Sequence, residues 1–224
     1  YFDSLTYDLA KTWTLVGPRG VESDAVSFGR SDSWERSGNL AMDLPLPGTY
    51  QLRVSGSAGA YSFRMLDLGV STAVTTDNTQ VAGALTPRAA TALYSFSGAA
   101  GDKIVLDMRT SADAAMRLVD PYGRQVFGPV SFADREFDLP TTGTYTLLIE
   151  GRSYNSGSTD DFAFSLSKAS DPAPLALTLN EGVAGNLPAP GAMQRYTFTL
   201  ADPRLVVFDS LTNDSSLSWR LTGP

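Results

Sequence analysis

The chain contains neither cysteine nor histidine in its 224 residues. The first absence excludes disulfides and thiolate metal sites as the means of holding the domains together. The second removes the usual catalytic base and the commonest zinc ligand. A Ser-His-Asp or Cys-His arrangement therefore cannot be assembled from these residues. No apolar run approaches the roughly 20 residues that a membrane-spanning helix takes, so no membrane insertion is expected of this segment. There is no excess of positive charge: the formal net charge is −7. That argues against nucleic acid or an anionic membrane as partner, since both call for a basic patch. Also missing is any helix-length stretch with a 3.6-residue period and caps.

What the chain does have is repetition. Phe2-Asp3-Ser4-Leu5-Thr6 returns as Phe208-Asp209-Ser210-Leu211-Thr212, 206 positions later and without a gap to the end. Trp13 matches Trp219, and Gly17-Pro18 matches Gly223-Pro224. A shorter period of 102 lies inside the first: Val81-Ala82-Gly83-Ala84-Leu85 matches Val183-Ala184-Gly185-Asn186-Leu187, Tyr94-Ser95-Phe96 matches Tyr196-Thr197-Phe198, and Asp107 matches Asp209. Asp43-Leu44-Pro45 with Gly48-Thr49-Tyr50 returns as Asp138-Leu139-Pro140 with Gly143-Thr144-Tyr145. Fixed-period self-similarity signals an array. The repeat reads as a type-A domain followed by a related type-B domain of about 100 residues each, and the chain as a window on a longer periodic protein.

The strand pattern is that of half-buried antiparallel sheets. Tyr50, Leu52 and Val54 alternate with Gln51, Arg53 and Ser55; Tyr145, Leu147 and Ile149 do the same, as do Phe162, Phe164 and Leu166. Ile104-Val105-Leu106 is uniformly apolar and predicts a central strand buried on both faces. Turn residues punctuate the strands at Gly17-Pro18-Arg19-Gly20, Pro47-Gly48, Asp120-Pro121-Tyr122-Gly123 and Thr142-Gly143. The expected fold is all-β: tandem antiparallel sandwiches, jelly-roll-like, two to each 206-residue repeat. Residues 1–75 form a type-A sandwich lacking its first strands, 76–170 a complete type-B sandwich, and 171–224 a linker with the opening strands of the next type-A domain. This register leaves open a complementation of the two end fragments between molecules.

In the second domain, Tyr94-x-Phe96, Ala100-Gly101-Asp102 leading into Ile104 to Asp107, Met116 to Gly123, and Leu139-Pro140 with Gly143 to Leu147 carry a family pattern. Together they resemble the bacterial pre-peptidase C-terminal domain over most of about 90 residues. The first domain departs from it, with Gly17-Pro18 where the pattern has an Asp-Pro-x-Gly turn. Its Phe-Asp-Ser-Leu-Thr, Trp and Gly-Pro signature resembles tandem modules of very long secreted bacterial proteins. The resemblance implies a β-sandwich, secretion to the exterior or cell surface, and a non-catalytic accessory or adhesive role. Some members of the family bind calcium, collagen or polysaccharide.

Several residues then invite a role. Asp3, Asp107 and Asp209 each follow an apolar run, which suits a structural acceptor of loop N–H groups. Tyr50 and Tyr145 suit tyrosine-corner anchors, ring in the core and hydroxyl on the backbone. Trp13, Trp219, Gly17 and Pro18 belong to the repeating framework. Trp34 and Tyr154 lie in polar loops, where an aromatic face can stack on a sugar ring or a protein. Paired carboxylates of the glycosidase kind have no distinctive spacing here. Asp160-Asp161 after Asn155, and Asp113 with Asp120, are the acids to consider for calcium, but no EF-hand or nonapeptide repeat accompanies them. The expectation is therefore a non-enzyme without cofactor, calcium being the one alternative. It would serve as a structural or adhesive repeat of a stalk, fibre or matrix, whose partners are neighbouring copies and surface polysaccharide or protein. The competing readings are an accessory binding module of a secreted hydrolase and a calcium-stabilised adhesin segment.

Overall fold

The computed structural model describes residues 1–155, 157–169, 173–187 and 192–223. Its regular structure is β apart from two single 3-10 turns, Phe28–Arg30 and Ser33–Glu35. The chain divides into two units, one of residues 1–171 with 186–193 and one of 172–185 with 194–224. The expected linker at 171 and its neighbours 170 and 172 lie outside the described residues.

The first unit opens with a small sandwich of five strands: β1 (Phe2–Ser4), β2 (Lys11–Gly17), β3 (Gly20–Ser27), β4 (Gln51–Gly56) and β5 (Phe63–Met65). β2 is flanked by β3 and β4, and β1 pairs with β5, all antiparallel. Apolar residues at every second position of β2 put Trp13 and Leu15 on one face, where they meet Phe2 and Phe28. Phe2 stacks on Trp13 with centroids 4.3 Å apart and planes 10° apart, and on Phe63 at 5.0 Å. The Trp13 indole is satisfied by donating to Ser31 Oγ at 2.8 Å, as a buried ring nitrogen requires.

A complete sandwich follows: β6 (Thr72–Ala73), β7 (Asp77–Leu85), β8 (Thr91–Gly98), β9 (Lys103–Thr110), β10 (Ala114–Val119), β11 (Gln125–Ser131), β12 (Arg135–Asp138), β13 (Gly143–Gly151) and β14 (Asp160–Lys168). One sheet runs β11-β10-β13-β8-β6 and the other β12-β9-β14-β7. Every pairing is antiparallel except β6 with β8. β6 lies ahead of residue 76, so this sandwich's sheet begins before that position. Tyr94, Phe96, Leu106, Leu118, Tyr145, Leu147, Phe162 and Phe164 are among the residues that fill the space between the sheets. Ile104, Val105 and Leu106 are all buried on β9, between β12 and β14.

The two sandwiches share a corner device. Tyr145 Oη donates to Thr141 O at 2.6 Å and accepts from Thr141 N at 3.0 Å. Tyr50 Oη donates to Leu46 O at 2.8 Å, the same four residues back. Gly48 and Gly143, at φ 147° and 149°, let a proline approach. A Cβ on Gly48 would lie 2.8 Å from Pro18 Cγ, and one on Gly143 2.9 Å from Pro121 Cβ. A Cβ at Gly17 would strike the Tyr50 ring. Glycine, proline and tyrosine thus recur together because each needs the space or the contact that the others provide.

The second unit holds β15 (Leu175–Ala176) and β16 (Tyr196–Thr197), paired in parallel. It repeats local geometry seen earlier in the chain. Leu175 pairs with Tyr196 as Thr72 pairs with Tyr94. Leu177 N donates to Thr197 O at 2.8 Å, as Val74 N does to Ser95 O at 2.8 Å. Asn180 and Asn78 take φ values of 68° and 70°. Phe208 stacks on Trp219 at 4.4 Å, as Phe2 does on Trp13. Ser210 Oγ donates to Thr212 O, and Ser4 Oγ to Thr6 O, both at 2.9 Å. The surroundings differ: Phe2 and Trp13 are 2% and 1% exposed, Phe208 and Trp219 58% and 63%.

The corner makes a direct prediction. Tyr145→Phe strands the Thr141 amide and should cost about 1–2 kcal/mol in a urea titration. Tyr50→Phe, whose bond faces solvent, should cost clearly less.

Candidate functional site

All six residues of β10 are buried, although side chains on a strand point alternately to opposite faces. Met116 and Leu118 face the sandwich core. Ala115, Arg117 and Val119 therefore lie on the outer face, as do Leu148 and Glu150 on β13. The first sandwich covers that face: Tyr1 and Leu40 pack with Val119 and Leu148. An outer sheet face, ordinarily wet, has become an internal joint.

The polar centre of the joint is an ion pair with both side chains fully buried, Arg117 Nε to Glu150 Oε1 at 2.9 Å. Arg117 Nη1 donates to Gly38 O at 2.6 Å and to Gln125 Oε1, and Nη2 to Arg36 O at 3.0 Å and Ser33 O at 3.4 Å. Glu150 Oε1 also accepts from Tyr1 Oη at 3.0 Å, and Ser33 Oγ donates to Glu150 O at 3.3 Å. Every polar hydrogen of the guanidinium group is directed at an acceptor, which buried charge demands. Asp3 forms a second centre. Its carboxylate accepts from Arg64 Nε at 2.6 Å and from Thr91 Oγ1 and N at 2.8 and 3.3 Å, while Arg64 Nη2 donates to Thr91 O at 2.7 Å. Asp32, also buried, accepts from the Ser4 amide.

Burial raises the pKa of Glu150 against the opposing pull of Arg117, and that of Asp3 against Arg64. Burial, with Asp3 next in weight, drives Asp32 well above the ordinary carboxylate range. A carboxyl with a raised folded-state pKa binds protons more tightly in the folded than in the unfolded protein. Its contribution is greatest at acid pH and declines as pH rises through the raised value. Two acids nearer the surface act oppositely. Asp8, held by Lys11, and Asp77, held by Thr75, are lowered to about 2, and their contribution is lost as pH falls from 3.8 toward that value.

A second cluster lies on the surface of the same unit. The Arg152 guanidinium sits 5.5 Å from the Trp34 ring centroid and 5.7 Å from that of Tyr154. Arg152 Nη1 donates to Tyr154 Oη at 2.6 Å, and Nε lies 2.8 Å from Asp113 Oδ1. Tyr7 meets Tyr154 edge-on at 6.0 Å. Trp34 and Tyr154, 120 positions apart in sequence, thus flank one cation. Arg152 itself carried no signal in the sequence beyond its place two residues before Tyr154. The arrangement offers partly exposed rings with a fixed cation between them, suited to stacking on a planar or sugar face.

The remaining candidates take separate places. Asp3 belongs to the joint; Asp107 pairs with Arg109 at 2.8 Å on β9; Asp209 is exposed. Asp160 is held by Arg88 at 2.8 Å and Asp120 by Arg124 at 2.7 Å. Asp160 and Asp161 lie consecutively on β14, so they point to opposite faces. Asp120 Oδ1 also accepts the Tyr122 and Arg124 amides, both at 2.9 Å, and so shapes the Asp-Pro-Tyr-Gly turn. Gly17 and Pro18 serve the corner around Tyr50, and Trp13 and Trp219 the two aromatic stacks; Pro224 lies outside the described residues.

No family model matches the chain, and no curated protein does. Among solved structures, the chain is similar to PliG of Aeromonas hydrophila, a periplasmic inhibitor of g-type lysozyme, at 18% identity and a TM-score of 0.35, covering 43% of this chain and 96% of that one. PliG of Salmonella Typhimurium gives 13% identity, 44% and 99% coverage and a TM-score of 0.32. The pre-peptidase C-terminal domain of collagenase from Bacillus anthracis gives 16%, 43% and 94%, with a TM-score of 0.32.

Arg117→Met leaves Glu150 charged and unpaired, and should destabilise the first unit by roughly 3–5 kcal/mol in chemical denaturation. Asp32→Asn keeps an acceptor for the Ser4 amide while removing a buried charge. It should raise the melting temperature at neutral pH, by about 2–4 °C for each kcal/mol recovered. It should also flatten the decline of stability as pH rises above the ordinary carboxylate value of about 4.

Proposed function

We propose that the chain is a segment of an extracellular structural repeat protein, in which β-sandwiches are spaced along a stalk, fibre or matrix strand and do no catalysis. The observation that carries this reading is the joint. Residues 1–171 belong to one compact unit although they span two related sandwiches, because a buried, fully hydrogen-bonded ion pair and an apolar patch weld one to the next. A flexible tether between binding modules needs no such surface, whereas a spacer of fixed geometry does. The cysteine-free composition suits export of many similar domains, since no wrong disulfide can form between them.

The Trp34–Arg152–Tyr154 cluster favours a second, compatible role: a weak contact to surface polysaccharide or protein. Repeated along an array, it would gain strength through multivalency.

Small-angle scattering of chains carrying one, two and three copies of the 206-residue repeat tests the spacer reading. The maximum dimension should grow by equal steps, with a scattering profile of a stiff particle. A profile of beads on a flexible tether would sink the proposal. A large fall in melting temperature on chelation would favour a calcium-stabilised adhesin, and retention on collagen or polysaccharide without stiffness an accessory targeting module.

A further inference from the structure

We propose that the joint between the two sandwiches is a proton-dependent lock, closed while Asp32 carries a proton and loosened when that proton leaves for solvent. The proposal rests on the joint that carries the spacer reading and concerns how that joint is regulated.

The charges at the joint do not balance. Three carboxyl groups are buried there, Asp3 and Asp32 from the first sandwich and Glu150 from the second. Two guanidinium groups donate to them, Arg117 to Glu150 and Arg64 to Asp3. Asp32, 1% exposed, is left with the Ser4 amide and has no ion pair among the described residues. Around it stand Asp3 on β1, Glu35 on the adjoining 3-10 turn and Glu150 on β13, all of its own sign. Glu35 Oε2 is itself buried without a hydrogen-bond partner. Arg36 faces Asp32 as well, but it also stands against Arg117, and burial with that neighbour holds its pKa down. The Tyr1 hydroxyl donates to Glu150 and keeps its proton, since burial and the carboxylates of Glu150, Asp32 and Asp3 push its pKa well above the ordinary value. The Tyr1 amino group donates to Leu66 O and faces Asp67 and Asp3. It would make the same bond as an amide and is no part of the lock. A carboxylate shut off from water, without a counter-ion and among others of its sign, takes up a proton rather than stay charged.

The place of Asp32 in the chain gives that proton a mechanical role. Asp32 immediately precedes Ser33, whose carbonyl accepts from Arg117 and whose hydroxyl donates to Glu150 O. Arg36 and Gly38, further along the same loop, supply the other carbonyls that hold Arg117. Ser33 stands at φ 52°, a left-handed conformation that a serine keeps only where its surroundings hold it there. A charged Asp32 needs water, and water reaches it only if this loop withdraws from Arg117 or the sandwiches part. Loss of the proton and loss of the grip are therefore coupled, and the closed joint binds the proton more tightly than the open one. The joint is tightest in acid and loosens as pH rises from the ordinary carboxylate value of about 4 toward the raised one. A local change of charge thus biases a packed element with two arrangements.

Pulsed electron paramagnetic resonance of the full chain reads the joint directly. The chain has no cysteine, so Arg53→Cys on the first sandwich and Ser131→Cys on the second, both exposed positions, take one spin label each. The distance distribution should be narrow at about pH 4 and broaden as pH rises toward about 9. With Asp32→Asn added it should stay narrow across the range. In the unlabelled wild type, the Asp32 carboxyl carbon, followed by nuclear magnetic resonance, should keep the protonated shift well above the ordinary carboxylate value. Near-ultraviolet circular dichroism checks the fold at each pH. A distribution narrow at every pH overturns the lock and leaves the spacer reading standing, whereas one broad at every pH overturns both. Equal broadening in Asp32→Asn assigns the pH dependence to another group, the Tyr1 amine among them, and overturns the lock. So does an Asp32 carboxyl that titrates at the ordinary value.

Discussion

The arrangement of residues 1–171 turns on one requirement: a guanidinium group buried in a protein must be neutralised and every N–H must find an acceptor. Glu150, on the neighbouring strand of the same sheet, meets the charge. The sheet alone cannot meet the rest. The remaining acceptors come from Gln125 on the same sandwich and from the backbone of residues 33–38, which belongs to the other. Separating the two sandwiches would leave a half-solvated ion pair and an apolar face of Val119 and Leu148 against water.

The equivalent face of the first sandwich is built differently. Where β10 and β13 carry Arg117, Leu148 and Glu150, the corresponding positions on β2 and β4 carry Thr14, Arg53 and Ser55. The latter face is largely exposed. The same strand plan therefore presents a sticky outer face in one domain and a wet one in the next.

Much of the fold was legible in the chain because it depends on local rules. Period-two alternation marks Tyr50 to Ser55 and Tyr145 to Ile149 as strands, and the Gly-Pro and Asp-Pro turns mark where they reverse. The uniform apolarity of Ile104 to Leu106 marks a strand buried on both faces. The joint was less legible. The alternation breaks at single positions: Ala115, Val119 and Leu148 are apolar where the pattern calls for a wet residue. That failure was the available signal of a second buried face, but periodicity does not say what covers it. Arg117 and Glu150 read as ordinary surface charges, since burial of an ion pair depends on a partner distant in sequence. The meeting of Trp34 and Tyr154 across Arg152 was hidden for the same reason. The recurrence of the Phe208–Trp219 stack outside a sandwich is the converse case: a geometry determined within a dozen residues forms wherever that sequence occurs.

Three of the acceptors that hold Arg117 are main-chain carbonyls, those of Ser33, Arg36 and Gly38. A carbonyl is present whatever side chain the position bears. The side chain at position 36 can thus change without removing an acceptor from the guanidinium. The demand on side chains at this joint falls on Arg117, Glu150 and Gln125, and the rest of it on the path of the loop.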